Sequence, residues 1–199
     1  SDGSGGTRTT RTATGSGPAT WFHDGTRNGI ADYVGDIWKW MSGLRIYKGE
    51  IQIFVGNLAA KQVSHLAAST YWKAILPNGS LVEPGTPGTL KYTKDFKIAT
   101  DTGAAGSTYT ANFGNLVAGT GVTTIPEILK ELFLAPVSGV THTGAFWINN
   151  EDERLPVVSG SYGNPSSAGP SALRLNYPRS NVWSSIGFFS AFMELESAI

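Results

Sequence analysis

Alternating apolar and polar residues predict short β-strands over much of the chain. Strands are expected at residues 36–40, 44–54, 71–76 and 90–98. The stretch at residues 44–54 is long enough for two strands, which we expect to be joined by a turn at Lys48-Gly49. Asn78-Gly79 is a strong hairpin signal after the third stretch. The pattern therefore predicts a domain rich in antiparallel hairpins.

Two segments carry apolar residues at helical spacing. Residues 57–70 place Leu58, Val63 and Leu66 where a short amphipathic helix would need them. A second short helix is expected from residue 125 or 126 to residue 134, because Pro and Glu at its start are good initiation signals. Residues 101–121 are mostly small and are expected to form a long surface loop. Residues 1–17 are Gly, Ser and Thr with few apolar residues, which predicts a flexible lead-in.

Composition narrows the class of protein. The 199 residues are enough for one packed domain or a domain with a small satellite, and 25 Gly with only 15% charged residues favour a turn-rich β-containing domain. The net charge of zero argues against duplex nucleic acid or an anionic membrane surface as partner. No apolar run is long enough to predict membrane insertion. The chain begins at Ser1, which we interpret as a fragment or a processed form.

No constellation typical of a catalytic or metal site is found. The three histidines lie far apart in the sequence, so hydrogen-bonded structural roles are expected for them. The acidic run at residues 151–153 is better interpreted as a solvated loop than as a calcium site. The sequence contains no cysteine, no nucleophile elbow and no phosphate-binding loop. We therefore expect no enzyme activity, no metal and no cofactor.

Residues 157–192 are rich in Ser, Asn, Gly and Tyr and contain no Lys, Asp, Glu or Gln. This composition is poor for acid/base chemistry but typical of recognition surfaces, where Tyr supplies contact area at low entropic cost. A Ser- and Gly-rich loop before a terminal strand has the same composition, so composition alone leaves both interpretations open. Small apolar residues are expected to anchor the segment in a core: Ala168, Ala172, Leu173, Leu175, Ile186, Phe188, Ala191 and Phe192.

The order of residues in this segment carries a family resemblance. Its frame, G-S-Y-G-N-x-S-S-A-G-x-x-A-L-x-L-N-x-x-R-S-N-x-x-x-x-I-G-F-x-S-A-F, resembles the variable region of proteins diversified by diversity-generating retroelements. The stretch D-Y-V-G-D-I-W-K-W at residues 32–40 resembles a turn and strand of those proteins and of formylglycine-generating enzymes. The resemblance implies an α+β C-type lectin fold over residues 18–199, with small twisted antiparallel sheets, two short helices and long loops. The cysteine-based oxidation of formylglycine-generating enzymes is excluded, because the chain has no cysteine.

In that family, template adenines are copied with errors, so Asn codons become many other residues while the frame is kept. Changing the first two bases of AAC or AAT never produces Lys, Glu, Gln, Met or Trp. Residues 157–192 lack the first four of these, and Trp183 departs from the rule. By comparison with the family frame, the mutable, ligand-binding positions are predicted to be Ser161, Tyr162, Gly163, Asn164, Ser167, Pro170, Ser171, Arg174, Tyr177, Val182, Trp183, Ser184, Ser185 and Phe189.

The frame and the mutable positions are expected to have different roles. Gly160, Gly169 and Gly187 would serve turns or close backbone approach, and Arg179 and Asn181 would hold the loop by hydrogen bonds. The aromatic residues among the mutable positions are candidate binding hot spots, with core packing as the competing interpretation: Tyr162, Tyr177, Trp183 and Phe189. For Trp38 and Trp40 we expect core packing rather than ligand contact.

The resemblance implies a ligand- or receptor-binding protein on a phage or viral tail fibre, or an adhesin displayed on a cell surface. Its ligand would be a host-surface or other protein or a glycan. Two alternatives remain open. One is a structural virion protein whose Ser- and Asn-rich end makes subunit contacts, and the other is a carbohydrate-binding module that shares only the fold. The sequence leaves open whether the protein is a monomer or a homo-trimer.

Overall fold

Thirteen strands of the described residues join into one curled, mixed β-sheet that forms a half-barrel. The computed structural model describes residues 14–56, 58–61, 63–101, 106–164 and 166–188. The strands are β1 Trp38–Trp40, β2 Leu44–Tyr47, β3 Glu50–Phe54, β4 Trp72–Ile75, β5 Leu81–Val82, β6 Lys91–Tyr92, β7 Lys97–Ala99, β8 Tyr109–Asn112, β9 Val117–Ala118, β10 Ala145–Ile148, β11 Glu153–Val158, β12 Leu173–Tyr177 and β13 Ile186–Gly187. Nine of them are hydrogen-bonded in the order β8-β10-β12-β11-β2-β3-β6-β7-β9. In addition, β1 pairs with β11 and β13, and β4 pairs with β3 and β5.

Helical structure is sparse in this part of the chain, and the predicted α+β C-type lectin fold with two short helices is wrong. The helical elements are α1 Glu127–Glu131 and the 3₁₀ turns Ala19–Trp21, Leu58–Ala60 and Phe113–Asn115. The helix predicted at residues 57–70 is reduced to one 3₁₀ turn, because its apolar residues share no buried face: Leu66 is 65% exposed. Residues 57 and 62 of that stretch lie outside the described part of the chain. The sheet is mixed rather than antiparallel, since β10–β12, β1–β13 and β7–β9 pair in parallel.

Both predicted tight turns are confirmed. Lys48 and Gly49 have φ angles of 49° and 83°, which is the left-handed backbone that a two-residue hairpin turn between β2 and β3 requires. Gly79 has a φ angle of 85°, and the Asn78 side chain accepts a hydrogen bond from the Ser80 amide at 3.0 Å between β4 and β5. The helix α1 and the strands β1 and β4 lie within the stretches predicted for them, and the stretch predicted at residues 90–98 contains β6 and most of β7, which ends one residue later.

The predicted surface loop at residues 101–121 is wrong for its second half. This part contains β8, which pairs with β10, and β9, which pairs with β7. Between them Phe113 and Leu116 are buried, with 0% and 2% of their surfaces exposed. Residues 102–105 lie outside the described part of the chain. Gly, Ala and Thr dominate the stretch and give little alternation of polarity, so the sequence pattern predicts a loop where the structure forms strands.

The sheet separates two apolar clusters, one on each face. The main core contains Phe146 and Ile148 of β10 and Leu173 and Leu175 of β12. Neighbouring residues on these strands point to the opposite face, because successive side chains of a strand alternate. That face carries the second cluster, which consists of Trp38, Trp147, Val157 and Ala172. The expected core role of Trp38 is confirmed, since only 1% of its surface is exposed.

Removing a core side chain from β12 should destabilise the whole sheet. Leu175 is fully buried between β10 and β11, so Leu175→Ala should lower the free energy of unfolding by about 2–5 kcal/mol. Leu66→Ala is the matched control at an exposed position and should change it by less than about 0.5 kcal/mol. Urea unfolding followed by tryptophan fluorescence measures both. Equal effects of the two substitutions would contradict the placement of β12 in the core.

Candidate ligand-binding surface

The segment predicted to be variable contributes a central strand of the sheet. β12 pairs with β10 in parallel and with β11 antiparallel, so it is hydrogen-bonded on both sides. The segment continues through residues 178–185 to β13, which pairs with β1. Each of its two loops, residues 159–172 and 178–185, is therefore held at both ends by strands. Their backbone is positioned by the sheet, which is the arrangement that a precise binding surface needs.

Close packing of the backbone holds the first loop, residues 159–172. The Gly169 amide donates to the Ser159 carbonyl at 3.1 Å, and the Ala168 amide donates to the Asn164 carbonyl at 2.7 Å. A Cβ atom at Gly160 would overlap Ala168, and one at Gly169 would overlap the carbonyl of Thr143. The expected role of these two glycines in close backbone approach is confirmed.

An ion-pair network fixes the second loop, residues 178–185. The Arg179 guanidinium donates to both carboxylate oxygens of Glu153, at 2.9 and 3.0 Å. Glu153 also accepts from Arg45 at 2.9 Å. Within the loop, the Asn181 side chain accepts from the Trp183 indole nitrogen at 2.7 Å. The predicted anchoring by Arg179 is confirmed, whereas the hydrogen bond of Asn181 stays within the loop.

Glu153 is charged in the folded protein despite its partial burial. Burial by itself raises the pKa of this carboxyl, but the hydrogen bonds and charges of Arg179 and Arg45 outweigh it and hold the pKa below its ordinary value. Arg45 is itself buried and also donates to Gln52 at 2.6 Å. The network thus connects the interior of the sheet to the second loop.

Trp38 of β1 connects the two loops. Its backbone amide donates to the Ser185 carbonyl at 2.8 Å, and its indole nitrogen donates to the Asn164 side chain at 2.9 Å. Two residues earlier, the Asp36 carbonyl accepts from the Tyr162 amide at 2.9 Å. The first and second loops therefore meet along residues 36–38.

Arg174 lies among three aromatic rings on the face of the second cluster. Its guanidinium carbon is 5.1 Å from the ring centroid of Trp38, 4.6 Å from that of Trp147 and 4.8 Å from that of Tyr177. The two tryptophans pack edge to face, with 5.4 Å between their centroids. Burial lowers the pKa of Arg174, and the Tyr177 side chain opposes that shift. Cation–π attraction thus binds Arg174 and Tyr177 to the frame.

The predicted mutable positions fall into three groups by exposure. The exposed ones are Tyr162, Gly163, Pro170, Val182, Trp183 and Ser184. The partly buried ones are Asn164, Ser167, Arg174, Tyr177 and Ser185. Ser161 and Ser171 are buried, and Phe189 lies outside the described part of the chain. The structure therefore leaves six of the fourteen positions exposed and five partly buried, and it places two of them inside.

The two buried serines have internal hydrogen-bond partners. The Ser161 hydroxyl donates to the Asn164 side chain at 2.9 Å, and the Ser171 hydroxyl lies 3.2 Å from Nδ1 of His142. A larger side chain at either position would have to displace packed neighbours. Sequence reasoning missed their burial because Ser is common both in loops and in tight interior turns.

The exposed apolar residues of the segment form a candidate contact surface. Val182 is 90% exposed and Trp183 59% exposed in the second loop, and Tyr162 is 59% exposed in the first. Phe188, which was expected to anchor the segment in the core, is 74% exposed. β13 ends at Gly187, so the strand alternation that would turn Phe188 inward stops one residue earlier. Exposed aromatic groups of this kind are typical binding hot spots.

Each of the three histidines has a hydrogen-bond partner in the described part of the chain. His23 accepts from the Ile30 amide at 2.7 Å, His65 lies 2.7 Å from the Ser42 hydroxyl, and His142 accepts from the Val137 amide at 3.0 Å. Among these residues, no group of three or more His, Asp or Glu side chains is placed to hold a metal ion. In the same part of the chain, no helix has the length and apolar character needed to cross a membrane.

No protein-family model matches the chain, and no curated protein sequence matches it. The resemblance to retroelement-diversified proteins therefore rests on sequence motifs, chiefly those at residues 32–40 and 157–192. The functional interpretation therefore depends also on the geometry of the two loops.

Removing the charge of Glu153 should weaken the second loop in a pH-dependent way. Because the folded-state pKa of Glu153 is lowered, its contribution to stability is full above the ordinary carboxyl value of 4.5 and is lost as the pH falls through the lower folded-state pKa. Glu153→Gln should lower the free energy of unfolding by about 1.5–3 kcal/mol at neutral pH. Urea unfolding at a series of pH values between neutral and strongly acidic measures this difference.

The matched control for this experiment is Glu131→Gln, at the exposed end of α1. It should leave the stability profile nearly unchanged. A constant difference between Glu153→Gln and the parent protein at all pH values would contradict the ion-pair account.

Proposed function

We propose that this chain is a ligand- or receptor-binding protein whose variable region, residues 157–192, is diversified by retroelement mutagenesis. It acts on a phage or viral tail fibre, or as an adhesin displayed on a cell surface. Its ligand is a protein or glycan on a host surface. The proposal combines the residue composition of the segment, which fits mutated Asn codons, with the geometry of its two loops.

The observation that carries the proposal is the separation between the residues that hold the loops and the residues that face outward. Hydrogen bonds of the backbone and of Arg179 hold the loops, and Trp38 adds one to the partly buried Asn164 side chain, which is itself at a predicted mutable position. The side chains of Tyr162, Val182 and Trp183 project from them and are mostly exposed. Exchanging exposed side chains costs little stability, so many sequences are compatible with one backbone.

The chemistry of the exposed group favours macromolecular recognition. Tyr and Trp supply large, rigid contact areas with a polar edge, and the neighbouring Ser and Gly residues adapt their hydrogen bonds to different ligands. The side chains of Tyr162 and Trp183 belong to different loops, both of which are hydrogen-bonded to residues 36–38, and we propose that one ligand contacts both. These two residues are the proposed hot spots of this variant.

The DNA that follows this gene tests the proposal. We expect a near-copy of the codons for residues 157–192 beside a reverse-transcriptase gene, with mismatches that fall on template adenines. The mismatched codons should include those of the exposed residues Tyr162, Val182 and Ser184. The absence of such a copy, or mismatches that ignore adenines, would contradict diversification.

In a set of natural variants, the size of the residue at each mutable position should depend on whether that position is exposed or buried. Positions 162, 182 and 184 should accept residues of all sizes, because their side chains are exposed. Positions 161 and 171 should retain small residues, because Ser161 and Ser171 are 5% and 4% exposed. Sequencing the variable region across a population measures the size distribution at each position. Equal distributions at buried and exposed positions would contradict the structural account of diversification.

A further inference from the structure

Arg174 is the one charged residue in a row of side chains that crosses the sheet. Strand pairing on the face of the second cluster aligns one residue from each of the strands β8, β10, β12, β11 and β1. These residues are Thr110, Trp147, Arg174, Val157 and Trp40. Since the other four carry no charge, the strands beside β12 supply no counterion to the guanidinium from this row.

The charge of Arg174 has no carboxylate partner among the described residues. Glu153 of the neighbouring strand β11 is already paired with Arg45 and Arg179. Burial lowers the pKa of Arg174, and the Tyr177 side chain is the titratable group that opposes this shift. A partly buried charge without a counterion is costly, so an anion that reaches it from a ligand would be favoured.

The aromatic rings hold the guanidinium but leave its outer edge free. Nε of Arg174 is buried and has no hydrogen-bond partner. The two Nη groups make no hydrogen bond of normal geometry to a described residue and are not buried, so they face solvent. Contacts with the rings of Trp38, Trp147 and Tyr177 fix the orientation of the guanidinium before any ligand binds. A guanidinium held in this way matches the geometry of a carboxylate.

We propose that Arg174 binds the carboxylate of an aspartate or glutamate side chain on a protein ligand. The inference rests on the proposed function and specifies the ligand chemistry of this variant. A protein is favoured over an acidic sugar, because the contact surface includes Val182 and Phe188, which are 90% and 74% exposed and offer no hydrogen bond from their side chains to sugar hydroxyls.

The proposed contact combines a constant and a mutable part. Trp38 and Trp147 lie outside the variable region, whereas Arg174 and Tyr177 are at predicted mutable positions. The preference for an acidic side chain should therefore belong to variants with Arg at position 174. Other variants would keep the two tryptophans and bind different groups beside them.

A titration with short peptides tests the contact. The probe is acetyl-Gly-Leu-Glu-Leu-Gly-amide, added to the full ¹⁵N-labelled chain at low salt. We expect shifts of the Arg174 Nε–H and Trp147 indole signals, and none with the peptide that has Gln in place of Glu. Arg174→Gln should weaken binding about tenfold, through loss of the charge-assisted pair. Arg174→Lys should weaken it about threefold, because an ammonium keeps the charge but lacks the planar fork.

Arg27→Gln is the matched control, since Arg27 is an exposed arginine whose guanidinium lies 5.9 Å from the ring centroid of Phe22. It should leave the dissociation constant unchanged. The amide spectrum of each variant verifies its fold. Methyl glucuronide, which carries a carboxylate on a sugar ring, should bind more weakly than the Glu peptide.

The proposal is overturned if the Gln peptide shifts the same signals, or if Arg174→Gln binds the Glu peptide as the parent does. Equal or tighter binding of methyl glucuronide would overturn the assignment to a protein side chain. A chain that ignores the Glu peptide but has an adenine-mismatched copy of its variable region downstream would refute the Arg174 contact alone and leave the proposed function standing.

Discussion

Trp38 is the residue on which the arrangement of both variable loops depends. It is buried against Trp147 and Arg174, while its backbone and its indole nitrogen each hold one loop. A buried tryptophan is suited to this task, because it combines a large packing area with one directional hydrogen-bond donor. Since β1 is paired with both β11 and β13, the position of Trp38 is set by the sheet and not by the loops.

The register of β12 fixes which side chains of this strand face the main core, and it thereby positions the loops on either side. Leu173 and Leu175 enter the main core, so Arg174 must lie on the opposite face among the aromatic rings. A shift by one residue would place the guanidinium in the core and both leucines in the aromatic cluster. Alternative registers of β12 are therefore strongly disfavoured. The ends of the loops on either side of β12 consequently have defined positions. The surface can then change its side chains without changing its backbone.

The sequence was informative where a local signal decides the structure. The turns at Lys48-Gly49 and Asn78-Gly79, the helix near residue 127 and the anchoring by Arg179 depend on a few neighbouring residues or on one charged partner. The overall fold was missed because it depends on pairings between distant strands, such as β10 with β12 and β7 with β9. These strands are short, and the alternation within a strand does not show which distant strand it pairs with.

The candidate surface was predictable as a segment but not residue by residue. Composition and the family frame identified residues 157–192, yet they could not separate the buried Ser161 and Ser171 from the exposed Ser184. That distinction depends on tertiary contacts, such as those of Ser171 with His142. Phe188 shows the converse case, since an aromatic residue in an apolar frame is exposed where its strand ends.

The central claim is that the frame holds the loops independently of the exposed side chains. The most direct measurement is the free energy of unfolding of a triple variant, Tyr162→Ser with Val182→Ser and Trp183→Ser, determined by urea titration. The account predicts a change of less than about 1 kcal/mol relative to the parent protein, because all three side chains are mostly exposed. A loss of more than about 3 kcal/mol would show that these residues support the fold, and the proposed division between frame and binding surface would be wrong.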